Sequence, residues 1–141
     1  MRDKIWLENK FNNIWQKNFP EVEKKNDIRI MFKGKSKNRF GCIKKNPDKS
    51  TTIIINSLFA HERVPEWIIK LTLAHELIHY MHGFNSPHQR LFKHPHLGGI
   101  VNRELKERGY GDFLKKERAW FNDEWLDMYK DIKKEVIEFE Q

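Results

Sequence analysis

The 141-residue chain predicts a single α+β domain. Three observations predict it. An amphipathic stretch opens the chain. Three short runs with strand character follow, joined by turn residues. A long apolar helix around His75-Glu76-Leu77-Ile78-His79 comes next, with further helical segments after it. The whole of 1–141 is expected to form one domain, with a core over about 5–95 and a helical extension over about 99–139.

Residues 3–18 predict a helix. Leu7, Phe11, Ile14 and Trp15 recur at the spacing of one buried face. Asp3 is placed to cap its start, and Phe19-Pro20 to end it. From Asp27 to Lys33 the pattern alternates, with Ile28, Ile30 and Phe32 on one side. Gly34-Lys35-Ser36-Lys37-Asn38 reads as a turn, and Arg39 to Lys44 alternates again, Phe40 and Cys42 facing together. Asn46-Pro47-Asp48-Lys49 is a second turn. The β-branched run Thr51 to Asn56 then predicts a buried strand. Three strands with short turns predict an antiparallel meander.

Val64-Pro65-Glu66 opens the central helix, which should run to about Met81 or His82 and stop at Gly83. Ser86-Pro87-His88 predicts a restart: serine as cap, proline in the first turn. Ile100 to Arg108 reads as a short helix ending at Gly109. Residues 113–139 read as one long helix with an apolar side that includes Trp120, Trp125 and Ile132.

Composition excludes several classes. No apolar run approaches the roughly 20 residues of a membrane span. The start, MRDKIWLENKF, has no signal-peptide core, and a cytoplasmic protein is expected. The lone Cys42 excludes an internal disulfide and a four-cysteine zinc ribbon, and is expected to be a small buried hydrophobe. Net charge is +7 and the sequence pI is about 9.5. Seven Lys/Arg against the single acid Asp48 crowd Lys33 to Lys49. Those cations are either a solvated surface or a patch that meets phosphates.

Six of the seven histidines lie between positions 75 and 96. On a helix, His75 and His79 fall one turn apart on one face, so both can offer nitrogen to one cation. Glu76 then lies beside the metal rather than on it. This H-E-x-x-H spacing suits a zinc hydrolase: two ligands, and a carboxylate that takes a proton from water. A catalytic zinc needs a third protein ligand. The pattern with glycine at 82 and histidine at 85 fails, because those positions are His82 and Asn85. His82 lies about two turns from His75 and reaches such a metal poorly. His88, after the turn, is sterically the easiest third ligand. Glu104, His94 and His96 stay open as alternatives, and His61 is expected at the surface.

The run Phe40-Gly41-Cys42-Ile43, the strand Thr52-Ile53-Ile54-Ile55-Asn56-Ser57-Leu58, the helix motif Leu73-Ala74-His75-Glu76-Leu77-Ile78-His79, and His88-x-x-x-Phe92 together resemble the SprT-like (Spartan-type) metalloprotease domain. The resemblance covers roughly residues 5–95. It implies a zincin-like minidomain: a helix and a small antiparallel sheet ahead of the H-E-x-x-H helix. It also implies zinc held by His75, His79 and His88, with Glu76 as base. The segment His94 to Gly99 and the C-terminal helix have no place in it, and the zinc ribbon many such proteins add is missing.

The implied function is zinc-dependent hydrolysis of peptide bonds in a protein or peptide substrate, with DNA as a further partner where the substrate is associated with or crosslinked to it. Tyr80, Tyr110 and His96 are candidates for a second oxyanion stabiliser. The sheet edge offers a seat for an extended peptide. Two rival readings are a zinc hydrolase of another amide or ester, and a non-catalytic zinc-stabilised DNA-binding module.

Overall fold

The computed structural model describes residues 1–141. Helices surround a three-stranded mixed sheet. Helix α1 (Lys4–Asn18) is capped by Asp3, whose side chain accepts from Trp6 N at 2.8 Å, and it buries Leu7, Phe11 and Ile14. Strands β1 (Ile28–Phe32), β2 (Gly41–Lys45) and β3 (Thr51–Ile55) follow. The sheet is not the expected antiparallel meander. The order is β1-β3-β2, with β1 parallel to β3 and β2 antiparallel to it. Ile30 and Ile43 both stand opposite Ile53.

The physical reason lies in β3 and in the segment before β2. Thr51-Thr52-Ile53 is buried throughout, so β3 takes the centre and satisfies ladders on both sides. Residues 33–40 are too long for a tight hairpin and instead cross the end of β3. Asn56 fastens them there, its Nδ2 donating to Ser36 O at 2.6 Å and Arg39 O at 2.8 Å. Ser57 Oγ donates to Gly34 O at 2.6 Å. The β2–β3 turn forms as expected. Asp48 Oδ1 accepts from Ser50 N at 3.0 Å, and these Ser50 bonds, with Arg29 next in effect, hold the Asp48 pKa down at about 2.

Helix α2 (Glu66–Met81) runs through the middle of the molecule. Ile68, Ile69, Leu73, Leu77 and Ile78 are completely buried, each contributing about 1.5–3 kcal/mol over exposure. Its end is a Schellman turn: Phe84 N donates to His79 O at 2.9 Å and Gly83 N to Tyr80 O at 3.1 Å, with Gly83 at φ +85°. Beyond it the expected helix at Ser86-Pro87-His88 is absent. Residues 84–96 form an irregular return that ends in a short 3-10 turn (Leu97–Gly99).

Helices α3 (Ile100–Glu107) and α4 (Gly111–Trp120) follow, then a π-helical turn (Phe121–Trp125) and α5 (Leu126–Glu140). The expected single helix over 113–139 is therefore continuous in path but interrupted in pitch. On a regular α-helix Trp120 and Trp125 would point about 140° apart. The wider turn swings both indoles inward, where they stack at 5.5 Å with 22° between their planes. Phe40 and Phe59 pack edge-on against this pair. Trp125 Nε1 donates to Lys37 O at 2.8 Å, so the C-terminal helix grips the basic loop ahead of β2. Cys42 is half-buried in the edge strand β2 rather than fully buried. No helix is long and apolar enough to cross a membrane.

Candidate metal centre

Helix α2 presents His75 and His79 one turn apart, and the irregular return brings His96 onto them. The three Nε2 atoms form a near-equilateral triangle: 3.0 Å from His79 to His75, 3.0 Å from His79 to His96, and 3.1 Å from His75 to His96. Hydrogen bonding does not account for this triangle. Each Nε2 of a neutral imidazole either donates or accepts, so at most two of three mutual contacts can pair a donor with an acceptor. One cation accepts all three lone pairs at once. These nitrogens are the group in the protein with metal-ligand proximity.

The protonation states agree. Burial, followed by the charge of His96, pushes His75 down to about 4. Burial, with His75, His96 and His82 adding to it, pushes His79 down to about 3. Both rings are neutral at pH 7, the form that ligates. His79 Nδ1 is buried without a hydrogen-bond partner, as is His82 Nδ1. The structure thus supplies no second-sphere acceptor behind His79, where ligating histidines usually have one.

Glu76 is 5% exposed and lines a cleft of about 290 Å³ that His75 also lines. Burial raises its pKa to about 8, against the opposing pull of Arg39. The cleft exists because β2 comes close to α2 at a glycine. A Cβ on Gly41 would stand 2.8 Å from Thr72 Cγ2 and 3.3 Å from Glu76 Oε2. Thr72 Oγ1 is tied to Ile68 O at 2.7 Å, which fixes the methyl group where it meets Gly41.

His88 is not part of the triangle. Its Nε2 lies 2.6 Å from Glu23 O and its ring packs edge-on against Tyr80 at 5.1 Å. The reason is the path of the chain out of α2. Tyr80 sits one residue past His79 and so faces about 100° away from it. Ser86 Oγ donates to Tyr80 O at 2.6 Å and Thr51 Oγ1 to Asn85 O at 2.9 Å, fastening the first part of the return on the Tyr80 side. The chain then crosses over Gly83 so closely that a Cβ there would stand 2.6 Å from the Arg90 backbone. Only after this crossing, eight residues past His88, does His96 reach His75 and His79.

The remaining candidates fall elsewhere. Glu104 Oε1 accepts from Arg108 Nε at 2.9 Å. His94 is exposed. His82 is buried against Phe92, with ring centroids 4.8 Å apart. His61 contacts Glu135 on α5. Neither tyrosine faces the triangle: Tyr80 Oη donates to Asn26 Oδ1 at 2.7 Å and Tyr110 Oη to Asn18 Oδ1 at 2.8 Å. His96, open in the sequence both as an alternative third ligand and as an oxyanion donor, supplies the third nitrogen of the cluster. The signal for it in the sequence was the histidine crowding around His94-Pro95-His96 ahead of Gly98-Gly99. Those glycines take φ of +70° and +66° and turn the chain into α3.

Compared with protein-family models, curated proteins and solved structures, the chain finds no match in any of the three.

Proposed function

We propose that this chain is a metal-dependent hydrolase, with zinc as the ion and peptide bonds as its target. The observation that carries the reading is the triangle of His75, His79 and His96 nitrogens, together with the buried carboxyl of Glu76, the residue after His75, in a cleft that His75 also lines. Three neutral imidazoles suit zinc, and three protein ligands leave a position for solvent. A zinc ion held there would bring the pKa of its water to about 7 and polarise a carbonyl. Glu76 would take the proton at a carboxylate oxygen and return it to the leaving amine. A metal dication beside it would draw its pKa down from about 8 and leave it ionised, as a base must be.

A purely structural ion would leave Glu76 buried at a desolvation cost with no partner chemistry, which favours hydrolysis over a zinc-stabilised binding module. The SprT-like reading is supported by the order of elements around α2, with His96 in place of His88 as third ligand and a mixed sheet in place of a meander. Action on DNA-associated proteins is supported by the net charge of +7. The deciding experiment measures zinc per chain and casein cleavage for the wild type and Glu76→Gln. One zinc in both, with cleavage only in the wild type, is the expected result. Equal cleavage, or none by a zinc-loaded wild type against proteins and peptides, overturns the peptidase.

A further inference from the structure

The cleft at Glu76 does not end there. It opens into a groove of about 750 Å³ between the loop ahead of β2 and the α3–α4 face. Asn38, Phe40, Asn102, Leu114 and Glu117 line both, so the two spaces adjoin along a shared wall. Along the groove stand three cations, Lys106, Lys115 and Arg118, all exposed. None of them pairs with an acid of this chain, whereas Lys10, Arg29, Lys35 and Arg108 all do. The one carboxyl in the groove wall, Glu117, is half-buried, against three exposed cations, and burial raises its pKa. Phe40, Leu114 and Phe121 supply an apolar lining between these polar groups.

We propose that this groove binds an acidic segment of the peptide substrate, Lys106, Lys115 and Arg118 taking its carboxylates while apolar side chains rest on Phe40, Leu114 and Phe121. The inference rests on the peptidase reading, since it names what that cleft accepts. Continuity argues for the substrate polypeptide over a separate partner. A chain whose scissile bond lies at Glu76 leaves the cleft through this groove, and a nucleic acid strand seated there would block it. At about 3.3 Å per residue an extended peptide presents alternate side chains to opposite walls, which matches a groove with cations and aromatic rings together.

The test uses the full-length, zinc-loaded Glu76→Gln protein and fluorescent peptides that share an apolar core. They carry three glutamates, three glutamines or three lysines on one side of it, in both orientations. Exposed charge pairs contribute modestly, so the glutamate peptide should bind roughly five- to tenfold more tightly than the glutamine peptide in one orientation, and the lysine peptide more weakly than either. Lys115→Glu/Arg118→Glu, both at exposed positions, should reverse the order. Lys115→Gln/Arg118→Gln, which adds no new charge, should level it. Equal affinities for the three peptides overturn the proposal. So does a single-stranded oligodeoxynucleotide that binds the groove more tightly and is lost in the same variants, which would mark a phosphate site. Acidic preference in binding with no cleavage by the wild type faults the hydrolase alone. Cleavage by the wild type without acidic preference faults the groove alone.

Discussion

Gly41 on β2 lies so close to Glu76 on α2 that a Cβ at position 41 would stand 3.3 Å from Glu76 Oε2. The backbone there is ordinary; the glycine serves proximity, not φ. It lets an edge strand form one wall of the cleft while the buried carboxyl forms another.

Gly41→Ala is therefore expected to destabilise the protein by about 1–3 kcal/mol, the usual cost of forcing an extra carbon into a packed site. The contact at 2.8 Å is with Thr72 Cγ2, and Thr72 cannot simply turn away without losing its 2.7 Å bond to Ile68 O. Thr72→Ser removes the methyl and keeps the hydroxyl. The double variant Gly41→Ala/Thr72→Ser should recover part of the loss in urea unfolding, the approach to Ile54 O at 3.1 Å remaining. If the double variant is no more stable than Gly41→Ala, the steric account of this position is wrong.

The two histidines that compete as third ligand separate cleanly. His96→Ala should weaken zinc binding by more than about a hundredfold, beyond what loss of a supporting partner costs. His88→Ala should keep full zinc occupancy, because its nitrogen is engaged with Glu23 O. It should lose only the small stability of that bond and of its packing on Tyr80. Zinc titration with a competing chelator checks both. Loss of zinc in His88→Ala with retention in His96→Ala would reverse the assignment.

How far the sequence reached follows from which contacts are local. His75, Glu76 and His79 were legible because their geometry is set by one helix turn, and the caps at Asp3 and Gly83 are local too. The pairing partner of β1 was not, since parallel pairing with β3 depends on Asn56 holding residues 36 and 39 from a distance. The sequence did not single out the third nitrogen of the cluster, which stayed open among His88, Glu104, His94 and His96. Proximity in sequence favoured His88, but the Schellman turn aims the chain at Tyr80 first, and Gly83 then admits the crossing that delivers His96. The π-turn was hidden for a similar reason: the five-residue spacing of Trp120 and Trp125 gains meaning only when both must face Phe40 and Phe59.

The return from Phe84 to His96 has little regular structure of its own, and Arg90 and Lys93 on it are exposed. A ligand at its far end should tie it down. Removing the metal is expected to speed tryptic cutting after Arg90 and Lys93, about tenfold for each ~1.4 kcal/mol with which the ion closes the segment. It should also lower the melting temperature, by an amount that grows with the logarithm of the free-ion concentration before removal. Identical digestion with and without chelator would show that His96 is not held by a metal.

The metal-free protein should have its stability maximum near pH 6.5, with opposite causes on the two sides. His75 and His79 are held at about 4 and about 3 in the folded chain, below the ordinary 6.5. Between those values and 6.5 the unfolded chain binds more protons, so stability falls as pH drops through this window. Glu76 runs the other way. Its folded pKa of about 8 lies above the ordinary 4.5, so from 4.5 to 8 the folded chain holds a proton the unfolded chain has released. Its contribution is fully present below 4.5 and lost as pH rises through 8. Below 6.5 the two histidines outweigh this single carboxyl; above it the carboxyl acts alone, at up to about 2 kcal/mol between 6.5 and 8. Glu76→Gln keeps the shape of the side chain and cannot titrate. Urea midpoints measured in chelator should therefore fall on the alkaline side in the wild type and stay nearly flat in Glu76→Gln, while the acid limb persists in both. An alkaline limb of equal slope in the variant would mean that Glu76 is not the buried proton carrier.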